Sequence, residues 1–135
     1  MPPKLKKSVM EMVAEANREI ETVSANEAIA HKDDPNFLLV DLRDIRELNR
    51  DGRIPGAFHA PRGMLEFWID PGSPYYKEVF GSGKKFVFFC AGGMRSALAA
   101  QTVQQMGLEP VCHIEGGFRA WKEAGGPIEG GKSEG

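Results

Sequence analysis

Hydrophobic positions along this chain follow two alternating rhythms, one of helical and one of strand character. Leu5, Val9, Met12, Val13, Ala16 and Ile20 recur at helical spacing, so the first twenty residues are expected to form an amphipathic helix. The stretch TVSANEAIAHK opens with a short strand at Thr22–Val23. Ser24, with Glu27 three residues on, is a capping-box signature for a helix start. NFLLVDLR reads as a buried strand from Phe37 to Asp41, DIRELNRDG as a short helix closed by Gly52, and GAFHA as another strand. The aromatic-rich segment PRGMLEFWIDPGSPYYKEVF is expected to contain short helical turns. FVFF, ending at Phe89, is an apolar run typical of a strand buried on both faces. Arg95 to Met106 reads as a helix stopped by Gly107, EPVCHIEGG as a fifth strand, and FRAWKEAGG as a last helix.

Strands alternating with helices predict an α/β domain, a five-stranded, mainly parallel sheet with helices on both faces. That domain is assigned to residues 21–128, preceded by a helical extension, residues 1–20, and followed by a disordered tail, residues 129–135. For the N-terminal helix, docking on the domain is preferred to a dimer surface, and both monomer and homodimer stay open.

Composition narrows the classes. With 135 residues the chain is long enough for one domain with a real core, and a net charge of −2 gives no reason to expect nucleic acid or a membrane surface. The apolar runs are too short to cross a bilayer, the N-terminus lacks the apolar region of a signal peptide, and two cysteines do not make a disulfide scaffold. A cytoplasmic protein is expected.

The candidate chemistry sits in FVFFCAGGMRSALAA. Cys90 follows a strand and stands in a four-residue turn that leads into a helix N-terminus, at the carboxyl end of a strand, where parallel sheets bind ligands. Unpaired N–H groups of that helix, an anion nest allowed by Gly92 and Gly93, and the fixed charge of Arg95 would together stabilise a thiolate and make Cys90 nucleophilic. Cys112, inside the fifth strand, reads as buried and inert.

Three segments in order resemble the rhodanese-like sulfurtransferases, especially bacterial single-domain members, over about Thr22 to Ile128. LLVDLRDIREL with GRIPGAFHAP is similar to the first signature, CAGGMRSA to the active-site loop, and HIEGGFRAWKEAGGPI, with Gly116, Gly117 and Trp121, to the C-terminal signature. Two positions depart from the family pattern. Arg53 stands where a histidine is common, and Ala91 where many thiosulfate-active members carry an arginine or another polar residue. The resemblance implies a sulfurtransferase in which Cys90 takes the outer sulfur of a donor such as thiosulfate as a persulfide. A thiol, cyanide or protein acceptor then removes it, and no cofactor is needed. It further implies that Ala91, Gly92, Gly93, Met94, Arg95 and Ser96 form the binding loop, with Arg95 holding the donor anion. Met94 is expected to meet the acceptor, and Ser96 either donates a hydrogen bond or merely starts the helix. Asp41 and Arg43 are expected as a structural polar pair near the loop, and Arg62 as a candidate second anion contact. A rhodanese-fold regulatory or interaction module with weak or no catalysis is the alternative.

Counting residues separates the rivals. A phosphatase of the dual-specificity type needs five residues between cysteine and arginine, and Cys90 to Arg95 leaves four. No second cysteine lies two residues away, as a thioredoxin-type motif requires. GPIEGGKS, residues 126–133, matches a phosphate-loop pattern but follows a helix instead of a strand, and is read as coincidence. His31, His59 and His113 show no metal-ligand spacing, so no metal is expected, and His59 reads as structural. Phe67, Trp68, Tyr75 and Tyr76 read as packing for the long segment.

Overall fold

In the computed structural model, which describes residues 1–131, five parallel strands form one sheet in the order β1-β5-β4-β2-β3. The strands are β1 (Glu21–Val23), β2 (Phe37–Asp41), β3 (Phe58–His59), β4 (Lys85–Phe89) and β5 (Val111–Ile114). Six helices accompany them: α1 (Val9–Glu19), α2 (Ala25–Ala30), α3 (Ile45–Asp51), α4 (Leu65–Ile69), α5 (Met94–Gln105) and α6 (Gly117–Glu123). Two single 3-10 turns, Arg62–Met64 and Glu78–Gly81, complete the long segment before β4.

Alternation along β4 divides the core. Phe86 and Phe88 point to one face, where they meet Val13 and Ala16 of α1, Leu65 and Ile69 of α4, and Ala97, Ala100 and Val103 of α5. Val87 and Phe89 point to the other, against Ala25 and Ala28 of α2 and Phe118 and Trp121 of α6. A strand covered on both faces leaves little place for polar residues without partners, which is why the segment reads as an unbroken apolar run. The 61–80 segment sends Trp68 and Phe80 around Phe58, edge to face at 6.1 and 5.7 Å, while Phe67 and Tyr75 stay exposed.

Several boundaries differ from the sequence expectation. The first helix begins at Val9, because Ser8 caps it in a reciprocal box with Glu11, and Leu5 lies before it, exposed. At α2 only half of the expected box forms: Ser24 accepts from the Glu27 N–H at 3.1 Å without the return bond. The full box occurs at α3, between Asp44 and Glu47. Helix α5 starts one residue early, at Met94, and β3 shortens to two residues. The disordered tail expected for 129–135 is corrected at its start. Glu129 exchanges both backbone hydrogen bonds with Arg53 at 2.9 Å, and Trp121 Nε1 donates to the Pro127 carbonyl, so the chain is anchored beyond Ile128. Residues 132–135, including the end of GPIEGGKS, lie outside the described residues.

Candidate active site at the carboxyl end of β4

β4 lies between β5 and β2, and the chain passes from β2 to β3 on one side before crossing back to β4 on the other. The carboxyl ends of strands at such a reversal face a crevice. Cys90 is the first residue there. Ala91, Gly92 and Gly93 turn the chain, and Gly93 caps α5 in a left-handed conformation, φ +106°. That geometry favours glycine. A Cβ at Gly93 would also stand 3.3 Å from the Gly116 nitrogen.

The turn wraps backbone N–H groups around sulfur. Cys90 Sγ accepts from Gly93 N at 3.1 Å and from Ser96 N at 3.4 Å, while its own S–H is 3.6 Å from Ser96 Oγ. An anionic sulfur gains more from these donors than a neutral one. Cys90 and Ser96 are both buried. Ser96 Oγ also lies 2.9 Å from His113 Nδ1, and His113 Nε2 lies 2.9 Å from Asn17 Oδ1. A hydrogen-bonded chain therefore runs from the sulfur through α5 and β5 to α1.

The loop is held from behind by α6. The Cys90 carbonyl accepts from Phe118 N at 2.8 Å, and the Ala91 carbonyl from Arg119 N at 3.1 Å. The helix can approach this closely only because Gly117 has no side chain; a Cβ there would collide with the Cys90 carbonyl oxygen. Arg43 stacks on the Phe118 ring, its guanidinium carbon 4.0 Å from the centroid. It is buried, donates to both Asp41 carboxylate oxygens and reaches the Gly52 carbonyl at 2.9 Å. His59 Nε2 in turn lies 2.7 Å from the Arg43 carbonyl. Asp41 and Arg43 thus bear on the loop through Phe118.

Arg95 makes a two-point pair with Glu47 of α3, at 2.8 and 3.1 Å. Its charge is therefore shared between the loop and an internal carboxylate. The Arg95 hydrogen bond holds the Glu47 carboxyl below its usual range, against the opposing effect of burial. A carboxylate whose value is lowered by folding contributes stability above the ordinary carboxylate range and loses it as pH falls through its folded value. Arg95 is 42% exposed, so solvent screening limits the gain. Glu47→Gln is expected to cost no more than about 1 kcal/mol at pH 7. Urea titrations of both proteins should converge as the pH is lowered past the carboxylate range. Arg62 pairs with Glu66 one helical turn on, at 2.7 Å.

Cys112 lies under the opposite face of the sheet, where burial pushes its thiol up to about 12. It forms part of the wall of a cavity of about 120 Å³ between α2 and the sheet. A larger cleft, about 470 Å³, opens beside the Cys90 loop, with Gly92, Gly93 and Met94 on one side and α1 on the other. Asn17, Glu47 and His113 are the site residues that the sequence does not reveal. Each comes from a separate element, with no shared spacing to link it to Cys90.

Comparison with known proteins agrees with this architecture. A family model described as the rhodanese-like domain matches residues 24–124. The Bacillus subtilis protein YtwF, provisionally named a sulfurtransferase, is 31% identical over 105 residues, covering 78% of this chain and 90% of its own. The thiosulfate sulfurtransferase GlpE of Shewanella oneidensis is 29% identical over 102 residues, 76% of this chain and 92% of that one. A solved structure from Rhodopseudomonas palustris, RPA3614, is 58% identical and superposes with a TM-score of 0.92 over 96% of this chain and 99% of that one. It is described as a protein of unknown function and possible tyrosine phosphatase.

Proposed function

The chain belongs to the rhodanese-like domain family, and we propose that within it the protein is a sulfurtransferase carrying sulfane sulfur on Cys90. The observation that supports this most directly is the pair of backbone N–H groups, from Gly93 and Ser96, aimed at Sγ at 3.1 and 3.4 Å. In the first step the Cys90 thiolate attacks the outer sulfur of a donor such as thiosulfate. A new S–S bond forms, the donor's S–S bond breaks, and sulfite leaves with the electron pair. In the second, an acceptor thiolate or cyanide attacks the outer persulfide sulfur, and the electron pair of the broken bond returns to Sγ. The loop donors stabilise the anionic sulfur at both ends of the cycle without having to rearrange.

The description of the Rhodopseudomonas structure favours a second reading, phosphoryl transfer. Loop length argues against it. Four residues separate Cys90 from Arg95, enough to surround one sulfur atom, whereas a phosphoryl group needs oxygens bound on several sides. Arg95 is moreover paired with Glu47.

Both readings are tested together by treating the protein with thiosulfate and, separately, with an aryl phosphate. Mass spectrometry should find one added sulfur on the Cys90 peptide and none on the Cys112 peptide, with negligible phosphate release. Efficient phosphate release that depends on Cys90 would overturn the proposal. Inserting one glycine between Gly93 and Met94 restores five-residue spacing. It is expected to weaken sulfur transfer while improving phosphate or arsenate binding, measured by calorimetry. Hydrolysis need not follow, because among the described residues no general acid faces the leaving group.

A further inference from the structure

The cleft beside the Cys90 loop is walled by elements that precede the matched family segment, and its lining is almost free of charge. Val13 and Asn17 come from α1 and Thr22 from β1, all before residue 24. Met94, His113 and Glu115, with three glycines of the neighbouring loops, complete the wall. Two groups that would otherwise make the lining cationic do not, although the Arg95 charge still acts on the sulfur. Burial pushes His113 down to about 4, so the ring is neutral at pH 7, with both nitrogens engaged by Ser96 and Asn17. Arg95 is paired with Glu47 and does not line the cleft. Glu115, an exposed residue, is the one formally charged side chain lining it among the described residues. The cleft adjoins the groups that hold the sulfur, while Cys90 itself is buried and outside the lining. Gly93 lines it and donates its N–H to Sγ, and His113 lines it and contacts Ser96.

We propose, building on the sulfurtransferase reading, that this cleft receives the sulfur acceptor and selects small cationic aminothiols over anionic thiols. The ammonium group sits against Glu115, and the methylene carbons lie between Val13 and Met94. The thiolate attacks the outer persulfide sulfur, the new S–S bond forms on the acceptor, and Sγ recovers its electron pair beside the Gly93 and Ser96 N–H groups. An anionic thiol meets a like charge with no cation in the lining to offset it. Because α1 supplies part of the wall, the extension shapes the cleft, while the charge selectivity rests on Glu115 of the domain.

Methanethiosulfonate reagents read the field at Cys90 directly. Each converts the Cys90 thiolate to a mixed disulfide and releases methanesulfinate, and matched reagents end in an ammonium, a methyl or a sulfonate. Rates are normalised to a free small thiol; Cys112, with its thiol pushed up to about 12, stays silent. In the native protein the ammonium reagent is expected to outpace the sulfonate reagent about fivefold at low salt, with the ratio shrinking towards one at 1 M salt. Glu115→Lys should invert the order. Equal ratios in the native and Glu115→Lys proteins would overturn the proposal. On protein first loaded with sulfur, cysteamine, 2-mercaptoethanol and 3-mercaptopropionate, compared per thiolate, should follow the same order, and the reverse order would also overturn it. The reagent rates do not depend on sulfur transfer. A failure to load sulfur with the charge order intact would count against the sulfurtransferase reading and leave the cleft's selectivity standing.

Discussion

Cys90→Ser is expected to reduce sulfur transfer to the uncatalysed background, a loss of at least about 10³-fold, because a serine hydroxyl cannot accept sulfane sulfur as a persulfide. The substituted oxygen still fits the nest formed by the Gly93 and Ser96 N–H groups, so the variant should fold and bind as before. Cys112→Ser provides the contrast. Its hydroxyl lies in an apolar layer with Val87 and Ile114, which costs about 1–3 kcal/mol of stability. Once folded, it should transfer sulfur at close to the native rate. Steady-state transfer to cyanide, with chemical denaturation run in parallel, measures both quantities. Equal loss of turnover from the two substitutions would show that the sulfur does not reside on Cys90 alone.

Arg43→Met is expected to be the most destabilising single change near the site. It leaves the buried Asp41 carboxylate without its two-point partner, and breaking such a pair costs about 3–5 kcal/mol. It also removes the donor to the Gly52 carbonyl and the cation stacked on Phe118. Activity should fall even under conditions where the variant remains folded, because Phe118 N–H holds the Cys90 carbonyl. A double variant, Asp41→Asn with Arg43→Met, removes the uncompensated charge and should recover a large part of the stability. Urea midpoints of the native, single and double proteins check this, and a double variant no more stable than the single would show that the ion pair is not the cause.

The loop was the most legible part of the chain. Cys90, the two glycines and the helix start lie within seven consecutive residues, and local chemistry alone turns such a run into a strand-end nest. The alternating order of β4, α5, β5 and α6 was readable for a similar reason: strands covered on both faces are mostly apolar, and the helices between them show their own period. Helix starts were less legible. Ser24 and Glu27 carry the letters of a capping box yet form half of one, whereas Asp44 and Glu47 form the whole. Side-chain rotamers decide that difference, and spacing does not encode them.

Glu47 shows how a residue acquires a second role through tertiary placement. In the sequence it belongs to a short helix 48 positions from Arg95, and only the packing of α3 against the loop brings the two within 2.8 Å. His113 shows the same from within a strand. Period two places it on the face covered by α1 and α5, but nothing in VCHI says that Ser96 and Asn17 will be waiting there at 2.9 Å. Gly117 stands out in the sequence, yet its physical cause, the approach of α6 to the Cys90 carbonyl, exists only in three dimensions. The α/β architecture, the family resemblance and the place of Cys90 were legible along the chain, because they follow from local periodicity and contiguous chemistry. The tertiary structure alone decided what surrounds the sulfur, from the Glu47 partner of Arg95 to the α1 wall of the cleft, because those contacts join residues whose separation along the chain carries no record of their meeting.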